Sequence, residues 1–247
     1  MALYDRLILE VFRRHRDADC QEFEFERDEM GEILDDWGEQ VRNLGDVPYT
    51  YRSGRRELPD AITSTGNWVI EPRGKGRYAF KRVSRDIYIT CPADLKTIPI
   101  LDATPDIILK YGGTDEQGLL TKIRYNRLVD IFLGITAYHL QGHVRAYIPD
   151  SGQVEIDDLY LGVDTEGNKY VIPVEAKTAD ETLGIVQVVN LNAYAREHFP
   201  DLVLRPIAVK SWDDASIFFL EFTTTLDYEK IEVERYKRYK LVRDERL

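Results

Sequence analysis

The sequence predicts an α/β (α+β) protein with a mixed sheet flanked by helices, preceded by a small helical module that ends in a β-hairpin. Three observations carry this. The second half runs helix, three strand-like segments, helix, strand, strand by hydrophobic period. The turns between its first strands, Pro149-Asp150-Ser151-Gly152 and Asp164-Thr165-Glu166-Gly167-Asn168, have the Asp, Gly and Asn chemistry of tight hairpins. The first half carries three short helical stretches and then two β-prone runs around a Gly- and Pro-rich loop.

In chain order, Leu3, Leu7, Ile8, Val11 and Phe12 give the apolar face of a first helix. An alternating segment, Glu22-Phe23-Glu24-Phe25-Glu26, precedes a second helix at about Asp28–Trp37. A third follows Arg55-Arg56-Glu57-Leu58-Pro59 and ends near Gly66. Strand-like Asn67–Ile70 and Tyr78–Val83 flank Glu71-Pro72-Arg73-Gly74-Lys75-Gly76. Three helices and a basic-tipped hairpin resemble a winged helix-turn-helix, which implies a third helix in a DNA groove and a wing on the backbone. The same features also describe a helical cap with a solvated basic loop. A proline-containing connector from Cys91 to Asp106 places the boundary near residues 85–100, giving domains 1–90 and 91–247.

The second domain opens on a helical pattern from about Asp115 to Gln141, apolar at Leu120, Ile123, Leu128, Ile131, Phe132 and Ile135. Strand-like runs follow at His143–Ile148, Val154–Val163 and Tyr170–Ala176. A helix spans about Leu183–His198, and Val203–Val209 and Ile217–Phe222 are β-branched or aromatic enough to be strands.

The bulk chemistry narrows the function. A chain of 247 residues with 43% hydrophobic and 31% charged residues is an ordinary globular mixture. It has no apolar run long enough to span a bilayer, and its first residues lack a signal-peptide layout, so a cytoplasmic protein is expected. Cys20 and Cys91 match no metal-ligand spacing. His139 and His143 would share a helical face but have no Glu between them, and they read as helix-end residues. The net charge is −11, yet Tyr51–Arg85 holds nine basic residues against Glu57, Asp60 and Glu71, a local +6 that leaves −17 elsewhere. Such a split marks a local phosphate-binding surface, with Arg55, Arg56, Arg73, Lys75, Arg77 and Lys81 as candidate contacts to double-stranded DNA.

The informative stretch is Val154-Glu155-Ile156-Asp157-Asp158 followed by Val171-Ile172-Pro173-Val174-Glu175-Ala176-Lys177. Side chains alternate along a strand, so Glu175 and Lys177 share a face while Val174 and Ala176 face the other way. Charges at the end of such an apolar strand are costly unless they serve each other or an ion. If the intervening turn closes a hairpin, Asp157 joins them, and two carboxylates with a lysine form a hard-oxygen site for Mg2+, with Mn2+ as a substitute. Phosphodiester hydrolysis needs such a centre to neutralise phosphate and to supply hydroxide near neutral pH.

This pattern resembles the core of the PD-(D/E)xK, or restriction-endonuclease-like, nuclease superfamily. The resemblance covers about residues 115–210 and implies a helix–three strands–helix–strand core. It implies that Asp157 and Glu175 bind metal and that Lys177 assists catalysis. It further implies an acidic residue from the preceding helix, for which Asp130 is the candidate with Glu155 as rival, and a glutamine in the following helix, Gln187. The first Asp follows no proline, which leaves Asp158 as an alternative to Asp157, the latter preferred by strand alternation.

Three functional readings result. One is a type II restriction enzyme acting as a homodimer on duplex DNA. Another is a repair or structure-specific nuclease, and a third is an inactive DNA-binding regulator. No Gly-rich phosphate loop with Lys-Ser/Thr is present, so no nucleotide cofactor is expected.

Overall fold

The computed structural model describes residues 1–17, 19–149, 151–213 and 215–243. Asp150, in the first predicted hairpin turn, lies outside them. The protein is a mixed α/β chain with N-terminal helices on a small sheet and a large mixed eight-stranded sheet. It divides into two compact units, the first comprising Met1–Ile89, Tyr147–Val154 and Thr182–Gln187, the second the remainder. No helix among the described residues is long and apolar enough to cross a membrane.

The first unit holds α1 (Leu3–His15), β1 (Glu22–Glu26), α2 (Arg27–Trp37), α3 (Asp46–Arg52), α4 (Asp60–Thr63), β2 (Asn67–Pro72), β3 (Arg77–Val83) and β4 (Tyr88–Ile89). The expected hairpin is β2–β3, and the alternating glutamate–phenylalanine segment completes the sheet as β1, in the order β1-β3-β2. Phe25 faces inward with Phe12, Trp68 and Phe80, while the glutamates of β1 face out. Gly38 ends α2 in the left-handed conformation that favours glycine. β4 pairs with Leu183–Gly184.

The second unit begins at Thr90, and the expected connector is structured: β5 (Thr97–Leu101) lies in it and α5 (Asp106–Tyr111) starts at its last residue. β5 lies at an edge of the large sheet, where Pro99 removes no ladder bond that the sheet needs. The long helical pattern is also corrected. It divides into α6 (Glu116–Tyr125) and α7 (Leu128–Leu133), separated by Arg127 in a left-handed conformation, and then turns at Gly134 into β6 (Thr136–Ile148). Positive φ at both points breaks the helix, and the β-prone residues after Gly134 continue as strand. His139 and His143 therefore stand on a strand, not at a helix end.

β7 (Gly152–Val163), β8 (Lys169–Lys177), β9 (Leu183–Gly184, the partner of β4) and α8 (Ile185–His198) come next. They are followed by β10 (Val203–Leu204), β11 (Ile207–Ser211), β12 (Ser216–Phe222) and β13 (Val233–Val242). The sheet runs β5-β13-β12-β11-β8-β7-β6, with β10 also against β8. β7 is antiparallel to β8, whereas β11 is parallel to it, so β8 is central and buried on both faces. One face packs Val174, Ala176, Val209, Phe219 and Tyr239 against Leu120, Ile123 and Phe132 of α6 and α7. Full burial of each such side chain contributes roughly 1.5–3 kcal/mol.

Candidate active site

Strand alternation fixes the site. Val174 and Ala176 enter the apolar core, which turns Glu175 and Lys177 to the opposite face of β8. The β7–β8 ladder reaches Asp158↔Val174 and pairs no further. Just past that point the Asp157 carboxylate accepts the backbone N–H of Ala176 at 2.8 Å. All three predicted residues are brought together and nearly buried, at 9%, 7% and 7% exposure for Asp157, Glu175 and Lys177.

A fourth charge completes the cluster. Glu116 opens α6 immediately after Asp115, whose side chain caps the helix by accepting Gly118 N–H at 2.9 Å. The Lys177 ammonium lies 3.0 Å from Glu175 Oε1 and 3.1 Å from Glu116 Oε1. Two carboxylates thus contact one ammonium, and Asp157 acts on it from farther off. Burial pushes Asp157 up to about 6; the Ala176 N–H opposes this and Glu116 adds to it. Burial and then Asp157 push Glu175 up to about 8, against the pull of Lys177. Burial works against the Lys177 charge, but Glu175, Glu116 and Asp157 outweigh it and hold the lysine protonated. Among the described residues no group of three or more His, Cys, Asp or Glu side chains is gathered closely enough to hold a metal ion.

The structure separates Asp157 from its neighbour. Asp158 is fully buried on the other side of β7, where Arg124 forks onto it, Nε to Oδ2 at 2.9 Å and Nη2 to Oδ1. His139 Nε2 lies 3.0 Å from Oδ1 and the Tyr160 hydroxyl donates to Oδ2 at 3.0 Å. These partners leave Asp158 a structural anchor between β7, β6 and α6. Gly142 leaves it room: a Cβ there would lie 3.2 Å from Asp158 Oδ1.

Asp130 is not part of the cluster. Its carboxylate takes Arg127, three residues earlier, and the Ala137 N–H at 3.0 Å, closing the turn between α7 and β6. Glu116 supplies the helix carboxylate instead. Glu155 shares the face of Asp157 and adds to its raised pKa, while accepting Arg145 Nε and Nη2 at 3.1 and 3.0 Å. Gln187 is engaged in the first unit, accepting Gly184 N–H at 2.8 Å and donating to Ser53 O at 3.0 Å.

The basic candidates are unequal. Glutamates of β1 and β2 surround Arg73, which pairs with Glu22 and, at 2.7 Å, Glu71, with Glu24 at 4.0 Å. Lys81 sits 3.5 Å from Glu71. Arg56 pairs with Asp5 at 3.1 Å, and Arg55 lies over the Tyr49 ring at 5.3 Å. Lys75 and Arg77 are exposed at the hairpin tip and, among the described residues, form no ion pair.

Sequence reasoning missed Glu116 and Lys210. The one signal for Glu116 was Asp115 as a helix cap followed by an acid, a pattern shared by many helices. Lys210 carried none: it ends a run that reads as an ordinary strand, yet it is buried beside Lys177. Comparison with models of protein families, with curated proteins and with solved structures gives no match.

Proposed function

We propose that this chain is a metal-dependent deoxyribonuclease of the PD-(D/E)xK type, hydrolysing phosphodiester bonds in double-stranded DNA as type II restriction enzymes do. The observation that carries the reading is the meeting of Asp157, Glu175 and Lys177 where the β7–β8 ladder ends, with Glu116 delivered by α6. A structural ion pair needs one carboxylate per lysine, and here two contact the ammonium with a third, Asp157, nearby.

The chemistry of the donors suits Mg2+, although the carboxylates are not drawn together as a ready-made cage. The set is all oxygen, its charge exceeds what Lys177 offsets, and burial drives two of its carboxyls toward the protonated form that a divalent cation would reverse. Asp157, Glu175 and Glu116 would hold the ion. When bound, Mg2+ supplies Lewis acidity and a water of lowered pKa. Lys177, kept protonated by its neighbours, offers an ammonium to stabilise charge building on the phosphoryl oxygens. The Ala176 N–H holds the Asp157 carboxylate in place before substrate arrives. In the first unit, the exposed Lys75 and Arg77 would meet phosphate, in the manner of a wing.

The deciding experiment incubates purified protein with mixed-sequence plasmid and maps fragment ends. Cleavage is expected with Mg2+ or Mn2+ and is lost in Ca2+ or chelator. Intact plasmid under every divalent metal, or full cleavage in excess chelator, overturns the proposal.

A further inference from the structure

One buried charge has no part in this chemistry. Lys210 lies in β11, the register partner of Lys177 on parallel β8, and is 9% exposed. Its ammonium donates to three backbone carbonyl oxygens: Thr178 at 3.0 Å, Ala179 at 2.9 Å, and Glu181. An ammonium has three donors, and all three go to one turn. Among the described residues Lys210 is in salt-bridge distance of no carboxylate. Burying a cation costs free energy, and the hydrogen bonds that offset it here all come from the main chain that follows Lys177. The same turn is pinned a second time, because the Glu181 carboxylate accepts the Thr178 N–H at 2.7 Å and the Thr178 hydroxyl at 2.6 Å.

We propose that Lys210 is a positioning residue, an internal cation seated in a ring of carbonyls that fixes the Thr178–Glu181 turn and so sets where Lys177 stands against Glu175 and Glu116. Its consequence for DNA cleavage rests on the nuclease reading; its hold on the turn does not. A neutral side chain of the same length would leave three inward carbonyls without donors. The turn would then reorganise, and the Lys177 ammonium, one residue upstream, would lose its place.

The test uses the full chain as wild type, Lys210→Ala, Lys210→Gln and Lys210→Arg, with n-propylammonium as the probe that replaces the atoms removed in Lys210→Ala. Two quantities are read: hydrogen exchange of the amides at 178–181, and single-turnover cleavage of plasmid DNA in Mg2+ beside DNA affinity in Ca2+. For Lys210→Ala the turn should exchange about tenfold faster, and propylammonium should slow it again saturably. Cleavage should fall about a hundredfold while DNA affinity stays within about twofold, propylammonium should recover about tenfold of the rate, and Lys210→Arg should retain more activity than Lys210→Gln. Should Lys210→Ala fail to fold, Lys210→Gln carries both measurements. Unchanged exchange in the turn overturns the positioning role, as does cleavage within about threefold of wild type. A wild type that cuts no DNA counts against the nuclease reading alone, and the exchange measurements still decide the role of Lys210.

Discussion

Asp157 accepts the Ala176 N–H at 2.8 Å through its side chain, at the point where pairing of β7 with β8 has ended. On the proposed function the carboxylate would have two duties, holding a backbone donor and holding a metal. Asparagine can still accept that bond but lacks the charge. Asp157→Asn should lower cleavage in Mg2+ at least about a hundredfold while its melting curve and DNA binding in Ca2+ stay close to wild type. Asp157→Ala should in addition destabilise the fold by about 1–3 kcal/mol, the cost of an unsatisfied buried donor. Folded Asp157→Asn cutting within tenfold of wild type would remove Asp157 from the chemistry.

The adjacent carboxylate should behave in the opposite way. Asp158 is enclosed by Arg124, His139 and Tyr160, so Asp158→Asn leaves the half-buried Arg124 without its counter-charge. A loss of about 3 kcal/mol is expected in denaturant unfolding. Activity per folded molecule should hold better than in Asp157→Asn. An Asp158→Asn protein as stable as wild type would show that this network is not an anchor.

The pKa values set a pH profile. Asp157 and Glu175 titrate at about 6 and about 8 when folded, above ordinary carboxyls. Between roughly pH 4 and those values the folded state binds more protons than the unfolded one, so these two groups lower stability as pH rises. In chelator, the melting temperature should fall from pH 5 to pH 8, and Glu175→Gln should flatten that fall. A wild type and Glu175→Gln of parallel slope would contradict the burial of Glu175 as a charged group.

At the hairpin tip, Lys75→Ala with Arg77→Ala should weaken DNA binding and reduce its salt slope by about 1 for each phosphate no longer neutralised. Arg73→Ala should act more on stability, because Glu22 loses its partner and Glu71 is left with Lys81. Salt titrations of binding for each variant separate the two effects, and identical slopes would exclude the tip from the phosphate-binding surface.

How far the sequence could be read depended on whether a signal was local. The alternation around Glu175 and Lys177 placed both on one face because a strand period needs no tertiary knowledge, and the Asp164–Asn168 turn brought Asp157 to them. The same alternation put Asp157 and Asp158 on opposite faces, while the Arg124 side chain that occupies Asp158 is distant in sequence and left no local signal. Asp130 and Gln187 were misplaced because position on a helix does not reveal which way that helix faces; here they close local contacts instead. The predicted helix through Gln141 failed on Arg127 and Gly134, since a positive φ at arginine has no compositional mark. β13 was missed altogether: Arg235, Lys237, Arg238 and Lys240 mask the apolar face that Tyr239 and Leu241 turn to the core.

The first unit draws on chain far beyond residue 90. β4 finds its partner at Leu183–Gly184, Ser53 O receives its hydrogen bond from Gln187, and Arg52 donates to Ser151 O at 2.7 Å. A fragment ending at residue 90 would leave those groups open. The unit is thus no interchangeable cassette. Grafting it to another partner, or recombining it with a relative at a single crossover, should yield a poorly folded chimera unless Tyr147–Val154 and Thr182–Gln187 travel with it, so its lineage is tied to that of the strands beyond.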